Sequence, residues 1–220
     1  MPAPVAAEPP ARERALGALT GLALGDALGM PTQSMSPARI RRCYGTITGL
    51  RDAVAEQPIA PSVPAGSVTD DTEQALILAG LLIDGGGRID PHQLADALLR
   101  WEDDMRARGS LDLLGPSTKL ALERVRAGAD PHCTGRQGTT NGAAMRVTPV
   151  GIAFRLGTTG DGLAQAVHES CLVTHDTRQG FEAAGLIAAA VSAAIDGADA
   201  ASALEAALSF VSAHPEEGHW

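Results

Sequence analysis

Two adjacent carboxylates between two threonines are the residues of this sequence best suited to chemistry. Asp70 and Asp71 follow Thr69 and precede Thr72. The apolar run at residues 75–83 comes next and predicts a helix that is buried on all sides. Carboxylates at the start of a buried helix are costly unless a cation neutralises them, and hard oxygen ligands suit Mg²⁺ or Mn²⁺. The motif therefore predicts a metal site, with helix capping by Thr69 and the aspartates as the simpler alternative.

The elements that must position this motif are predicted to be helices, because no alternating run is long enough for a sheet. The sequence predicts an all-α fold with helices at 12–28, 69–83, 90–108, 116–128, 161–173, 176–197 and 199–213, three of them capped by Asp90, Asp161 and Asp176. Residues 1–10 are predicted to be a disordered tail and residues 11–220 a single domain. The proline-rich segment 30–67 is predicted to be irregular and to form a functional loop or a lid.

Composition limits the class of protein. Apolar residues make up 45% of 220 residues but aromatic residues only 3%, which favours a core of aliphatic side chains. A net charge of −9 argues against nonspecific binding to nucleic acid or to an anionic membrane. The three cysteines have no zinc-like spacing and favour a reducing, cytoplasmic setting. No stretch is long and apolar enough to span a membrane, and Glu8 and Glu13 argue against a signal peptide.

Glycines recur on one face of the first predicted helix, at Gly17, Gly21, Gly25 and Gly29. Such a face predicts the close approach of another helix or of a ligand, because glycine otherwise weakens a helix. Helix packing is the preferred explanation for Gly17 and Gly21. Asp26 lies beside the last two glycines and is the better functional candidate, with a solvent-facing residue as the alternative.

Small residues at 138–142 run into a short helix that contains Arg146. Free backbone N–H groups in such a loop can bind an anion, although a plain turn is the commoner explanation. Arg146 is expected to pair with a phosphate or, more commonly, with a buried carboxylate. His175 precedes a long helix and could be a structural hydrogen-bonding residue. The other histidines have no ligand-like spacing and are interpreted as surface or loop residues: His92, His132, His168, His214 and His219.

Four of these segments, taken in order, resemble the ADP-ribosylglycohydrolase family. They are GLALGDALGMP at 21–31, GSVTDDT at 66–72, NGAAMRVTP at 141–149, and Thr174 with His175. The resemblance extends from about residue 12 to residue 197. It implies an all-α fold, a two-metal centre with Mg²⁺ or Mn²⁺, and cleavage of the glycosidic bond at C1″ of an ADP-ribosyl group. The implied substrate is an ADP-ribosylated protein or a smaller ribosyl compound.

The resemblance also implies roles for individual residues. Thr69, Asp70 and Asp71 would bind metal, Asp112 and Gln33 would occupy catalytic positions, and His175 would line the ribose side. The diphosphate loop would be Gly138, Thr139, Thr140, Asn141 and Gly142, with Asp26 and Met145 also contacting substrate. Asp112 lies in a segment similar to the family's Asp-x-Gly-x-Thr element, with one residue inserted.

Two departures from the family pattern lead to further expectations. Gln33 stands where many members have Glu, and an amide cannot act as a general base. The family's second metal motif, Asp-x-Asp-Thr, does not occur after Asp176. The domain is therefore expected to be incomplete at its C-terminus, and its last two helices to expose apolar surface that promotes self-association. A metal-dependent hydrolase is the first hypothesis, and a catalytically impaired ADP-ribose-binding homologue or fragment is the alternative.

Overall fold

The computed structural model describes residues 10–109, 114–157 and 162–215, and confirms the all-α prediction within them. Its ten α-helices are α1 (Ala11–Gly29), α2 (Pro37–Tyr44), α3 (Asp70–Asp84), α4 (Pro91–Ala107), α5 (Pro116–Arg126), α6 (Gly142–Arg146), α7 (Thr148–Ala153), α8 (Gly162–Cys171), α9 (Arg178–Ile195) and α10 (Ala200–Ala213). Single-turn 3₁₀ helices lie at Met30–Thr32 and Pro131–Cys133. Residues 1–9 of the predicted tail at 1–10, Asp112 and Asp161 lie outside the described residues.

Helix α9 is the centre of the fold and packs against α1, α6, α7, α8 and α10. Its inner positions are small residues, and Ala184, Ala188 and Ala189 are completely buried. Gly151 of α7 lies so close to α9 that a Cβ there would overlap the Ala188 carbonyl oxygen. Small residues on both helices therefore let α7 lie directly on α9, which explains how a chain with few aromatics fills its core.

Helix α3 packs against α1, α4, α6 and α7, which brings its N-terminus next to the end of α1. Ala75 and Leu78 are completely buried, but Leu76 is 59% exposed and Ile83 is 79% exposed. The prediction of a helix buried on all sides is therefore wrong. Apolar residues extend around more of the surface of α3 than the packed helices α1, α4, α6 and α7 bury. The N-terminal turn of α3 is nevertheless buried.

Two of the predicted helix starts need comment. Asp90 caps α4 as predicted, since its Oδ1 accepts a hydrogen bond from the backbone N–H of Gln93 at 2.9 Å. Asp176 does not cap α9: the Thr177 Oγ1 accepts from the backbone N–H of Gly180 at 3.1 Å instead. Asp176 is completely buried, and its Oδ1 lies 3.2 Å from the Nε2 of His168. An aspartate and a threonine in sequence offered two possible caps, and the fold uses the second.

Segment 30–67 is not irregular throughout, because it contains α2 and is braced by hydrogen bonds within itself. The Tyr44 hydroxyl donates to the Pro31 carbonyl at 2.8 Å and accepts from the Val54 N–H at 2.9 Å. The buried side chain of Gln57 donates to the Gln33 carbonyl at 3.1 Å. These bonds fix the backbone around Gln33.

The predicted helix packing on the glycine face of α1 is wrong. A Cβ added at Gly17 or Gly21 would meet nothing within 4 Å. The same holds for Gly25 and Gly29, but those two line a cavity that is described below. Of the two explanations, helix packing and the approach of a ligand, the second therefore remains for Gly25 and Gly29.

Apolar side chains are exposed on the last two helices, as expected. Ile187 of α9 and both Leu204 and Leu208 of α10 are exposed. Self-association through them stays a prediction. Within the described ranges, no helix has the length and apolar character needed to cross a bilayer.

The contact between α7 and α9 gives a test of the packing. Gly151→Ala should lower the free energy of unfolding by about 1–3 kcal/mol, because the new Cβ overlaps the Ala188 backbone. Gly80→Ala is the matched control in α3, where a Cβ meets nothing within 4 Å. It should raise the free energy of unfolding by up to about 1 kcal/mol. Chemical denaturation measures both, and equal effects would contradict the packing described here.

Candidate active site

Asp26 of α1 caps α3 from another helix. Its Oδ2 accepts from the backbone N–H groups of Thr69 and Thr72 at 2.8 and 3.2 Å, and from the Thr72 hydroxyl at 2.6 Å. Its Oδ1 accepts from the Thr69 hydroxyl at 2.7 Å. Thr69 occupies the N-cap position, but its side chain accepts no hydrogen bond from the helix. Capping by Thr69 is therefore wrong, and the carboxylate of Asp26 satisfies these orphan N–H groups.

Asp70 and Asp71 form a cluster of negative charge with Asp26. Asp70 is 4% exposed, and its buried Oδ1 has no hydrogen-bond partner among the residues that the structure describes. Burial raises the pKa of Asp70 to about 7, with further contributions from the charges of Asp71 and Asp26. Burial, followed by the charge of Asp26, also raises the pKa of Asp71. In the described part of the chain, no basic side chain forms an ion pair with these three carboxylates.

A cavity of about 300 Å³ lies beside this cluster. It is lined by Gly25, Asp26, Gly29, Met30, Gln33, Thr69, Asp71 and Asn141. The two glycines carry no side chain that would narrow the cavity. Gln33 has a buried Oε1 without a hydrogen-bond partner. The cavity walls thus carry carboxylate, hydroxyl and amide oxygens, and no side chain projects into the cavity from Gly25 or Gly29.

The loop at 138–142 packs tightly on the segment that precedes α9. A Cβ at Gly138 would overlap the Thr174 carbonyl oxygen, and one at Gly142 would lie 2.5 Å from the His175 Cε1. Gly138 donates its N–H to the Gly135 carbonyl at 2.9 Å, and Thr139 donates to the Ser117 hydroxyl at 3.3 Å. Two of the N–H groups expected to bind an anion are therefore used inside the protein. Anion binding by the rest of the loop stays a prediction.

Both expectations for Arg146 are corrected: its burial keeps it from direct contact with a phosphate, and its partners among the described residues include no carboxylate. It is completely buried, and its guanidinium donates to the Gln74 Oε1 at 3.0 Å, the Ser170 carbonyl at 2.8 Å and the Thr174 hydroxyl at 2.6 Å. Burial lowers the pKa of Arg146 to about 10, so the group remains charged at neutral pH. A positive charge is thus held by neutral oxygens beneath the 138–142 loop.

The charge on Arg146 sets the direction of a hydrogen-bond chain. Because a guanidinium only donates, the Thr174 hydroxyl accepts from it and has its own proton to donate. The nearest acceptor is the Nδ1 of His175 at 2.8 Å. The Nε2–H of His175 then donates to the Thr140 hydroxyl at 2.9 Å. The Thr140 hydroxyl accepts this bond, so its own proton is available for donation to another group.

This direction of hydrogen bonding requires His175 to be neutral, and both its burial and the nearby charge of Arg146 favour the neutral ring. Burial, followed by the positive charge of Arg146, lowers the pKa of His175 to about 3. His175 is completely buried, so it acts on the loop through Thr140. A direct role in lining the ribose side remains a prediction that this position does not favour.

The chain matches the family model described as ADP-ribosylglycohydrolase over residues 7–219. The chain belongs to the ADP-ribosylglycohydrolase family. A solved structure titled "ADP-ribosylglycohydrolase-related protein complex" superposes with a TM-score of 0.69 at 33% identity, and the match covers 93% of this chain and 63% of that one.

Two curated relatives extend the family likeness. An uncharacterised protein of Escherichia coli, YegU, is 35% identical, with 93% of this chain and 60% of that protein covered. The ADP-ribosylarginine hydrolase Tri1 of Pseudomonas putida is 32% identical, with 86% of this chain and 48% of that protein covered. The chain thus spans about half to three fifths of the length of these family members.

The fold brings together most, but not all, of the predicted site residues of this family member. Asp26, Gln33, Thr69, Asp71 and Asn141 surround one cavity, with Asp70 buried beside Asp71. Met145 is half-buried in α6. Asp112 lies outside the described residues.

Sequence reasoning missed two polar residues of this region, Gln57 and Gln74, and named Thr174 without giving it a role. Gln57 fixes the backbone at Gln33, and Gln74 and Thr174 accept from Arg146. Gln74 lies four residues after Asp70, on the same face of α3. That spacing was the available signal for a polar residue facing the site.

The raised pKa of Asp70 can be measured directly. Asp71→Asn should lower the pKa of Asp70, because the charge of Asp71 is the second largest cause of its increase. Asp84→Asn, at the exposed end of the same helix, should leave it unchanged. A carbon-13 NMR titration of carboxyl groups, in the presence of a chelator, measures both. An Asp70 pKa near 4 in the unmodified protein would contradict the cluster.

The same shift should make stability depend on pH. Since the pKa of Asp70 is about 7 in the native state, against an ordinary aspartate value of 3.8, the native state binds the proton more tightly than the unfolded state. The contribution of Asp70 to stability is therefore largest below pH 4 and is lost as pH rises through 7. Asp70→Asn should flatten the pH dependence of the free energy of unfolding between pH 4 and 8.

The direction of the hydrogen-bond chain predicts one tautomer for His175. Its ring should carry the proton on Nε2 and should not titrate between pH 8 and 4.5. Nitrogen-15 NMR of the imidazole checks this, with His175→Gln used to assign the signal. A protonated Nδ1, or titration near pH 6.5, would overturn the direction of the hydrogen bonds.

Proposed function

We propose that this chain carries the substrate and cation site of an enzyme that hydrolyses the bond between an ADP-ribosyl group and its acceptor. Membership of the ADP-ribosylglycohydrolase family supports this. So do the names of two relatives, an ADP-ribosylarginine hydrolase and the ADP-ribosyl-[dinitrogen reductase] glycohydrolase of Rhodospirillum rubrum. The latter is 32% identical, with 66% of this chain and 46% of that protein covered.

The observation that carries the proposal is the carboxylate cluster, which has no basic partner among residues 10–109, 114–157 and 162–215. Within those residues Asp70 also has a buried oxygen with no hydrogen-bond partner, and burial together with neighbouring charge raises its pKa and that of Asp71. Such a group of oxygens fits a hard divalent cation, Mg²⁺ or Mn²⁺, which the family resemblance also implies. Thr69, Asp70 and Asp71 would hold it. When bound, the cation supplies positive charge that orients ribose or phosphate oxygens and lowers the pKa of a bound water.

The remaining residues of the cavity would serve a glycosidic cleavage as follows. Positive charge develops at C1″ in an oxocarbenium-like transition state. The carboxylate of Asp71, on the cavity wall, would stabilise that charge. The buried Oε1 of Gln33 would accept a hydrogen bond from a ribose hydroxyl or from water, but an amide cannot take the proton. Asp112 is the proposed proton acceptor.

The loop at 138–142 would hold the diphosphate. The Thr140 hydroxyl would donate to a phosphate oxygen, since His175 already donates to it, and Asn141 lies on the cavity wall. The buried charge of Arg146 lies below and attracts an anion to this side of the cavity. The opposite wall, at Asp26 and Asp71, is anionic. The diphosphate would therefore lie at the 138–142 loop, and the ribose would lie at the anionic wall, where a bound cation offsets the negative charge.

The alternative proposal is a protein that binds ADP-ribose and does not turn it over. Gln33 favours it, since the cavity lacks a carboxylate at the place where many family members carry Glu. This alternative requires the same binding residues as the hydrolase, but it lacks a group that accepts the proton during cleavage.

Calorimetric titration of the full chain with ADP-ribose tests the shared part of both proposals. Binding should require Mg²⁺ and disappear with a chelator. Asp71→Asn should weaken it at least about tenfold, the effect of losing one charge-assisted ligand. Asp84→Asn is the control and should bind as the unmodified protein does. Folded protein that binds no ADP-ribose with Mg²⁺ or Mn²⁺ would contradict both proposals.

A turnover assay distinguishes the proposed hydrolase from the proposed binding protein. The hydrolase should release ADP-ribose from an ADP-ribosylated arginine peptide, as followed by mass spectrometry. Gln33→Glu should increase the rate if a proton acceptor is limiting. Binding without release, by both the unmodified chain and Gln33→Glu, would support the binding protein instead.

A further inference from the structure

We propose that His92, Asp130 and His132 form a second cation site, for a transition metal such as Zn²⁺, separate from the carboxylate cluster beside Asp26. One ligand atom from each of the three side chains lies within 4.8 Å of the others. None of them lines the cavity beside Asp26. Two imidazole nitrogens and one carboxylate oxygen are a donor set that Zn²⁺, Ni²⁺ and Cu²⁺ prefer, whereas Mg²⁺ prefers oxygen alone.

The arrangement of the two imidazole rings is compatible with the binding of one metal ion by both. The ring centroids of His92 and His132 are 5.3 Å apart, with the planes inclined at 65°. Zinc ligands lie at about 2.0–2.2 Å from the metal, so neighbouring ligand atoms are separated by roughly 3.4 Å. The Asp130 Oδ1 and the His132 Nδ1 already lie 2.9 Å apart, and the exposed side chain of His92 has room for the small rotation that brings its nitrogen to the same point.

Local turn geometry accounts for only two of the three residues. Asp130 caps the 3₁₀ helix Pro131–Cys133, since its Oδ1 accepts from the backbone N–H of His132 at 3.0 Å and lies 2.9 Å from the His132 Nδ1. That cap gives no reason for His92 to be present. His92 comes from the first turn of α4, which Asp90 and Pro91 hold in place. The third donor therefore reaches the pair through tertiary packing of α4 on the 3₁₀ helix.

The surroundings allow a cation to bind with open coordination positions. A cavity of about 430 Å³ borders His132, with walls that include Arg88 and Glu169. The charge of Arg88 is offset by Glu169, whose Oε1 lies 2.6 Å from its Nη2. Three protein ligands beside such a cavity leave room for water or an added ligand, the pattern of an open zinc site. The exposed thiol of neighbouring Cys133 is the competing donor.

Zinc titration followed by imidazole NMR tests the site in the full chain. One equivalent of Zn²⁺ should shift the ring signals of His92 and His132 together, and Mg²⁺ should not. His92→Ala, His132→Ala and Asp130→Asn should each weaken zinc binding at these signals at least tenfold. Because the readout is the histidine ring, zinc bound at the Asp70 cluster does not contribute, and failure of the proposed hydrolase would leave this result unchanged.

Cys133→Ser is the matched control, since it removes the competing donor from the same turn. It should keep zinc affinity within twofold of the unmodified protein. Loss of binding in Cys133→Ser would assign the site to the thiol and overturn the proposal. Unchanged affinity in His92→Ala would also overturn it, because that result would reduce the cluster to a capped turn. Far-ultraviolet circular dichroism checks that each variant is folded.

Discussion

The contact between Asp26 and the start of α3 is the interaction on which the site depends. One carboxylate accepts four hydrogen bonds from Thr69 and Thr72, and so joins the end of α1 to the beginning of α3. The partial positive charge of the α3 N-terminus stabilises Asp26 in this position. Asp70 and Asp71 are then held close to Asp26 and to each other, although their mutual repulsion opposes it. The cavity and the raised pKa values both follow from this arrangement.

The sequence was sufficient for elements with strong local signals. Asp90 before Pro91, and the glycines after α3, marked helix ends that the structure confirms. The Thr-Asp-Asp-Thr motif was correctly placed at a helix start. Its cap was assigned to the wrong residue, because Thr69 is a good local cap and Asp26 is far away in sequence. Helix α2 was missed although Ser36 and Pro37 form an ordinary start signal, since the neighbouring prolines suggested an irregular segment.

Contacts between distant segments could not be read from spacing. Arg146 was expected to meet a negative partner, yet the fold surrounds it with an amide, a carbonyl and a hydroxyl. His92 and His132 looked unrelated because their separation in sequence matches no ligand pattern, and packing of α4 brings their rings together. Both cases depend on tertiary structure, where a polar side chain takes whichever partner the packing supplies.

The complete burial of Arg146 has a consequence for the ionic-strength dependence of anion binding. The chain carries a net charge of −9, so its overall field repels a diphosphate, and dissolved salt weakens that repulsion. The field of a charge sealed inside the protein is much less affected by salt, because mobile ions cannot approach it. For the diphosphate site proposed at the 138–142 loop, rising salt therefore removes the long-range barrier and spares the local attraction of Arg146. An anion bound at that proposed site would associate faster as salt increases, opposite to the behaviour of a binding site made from surface lysines.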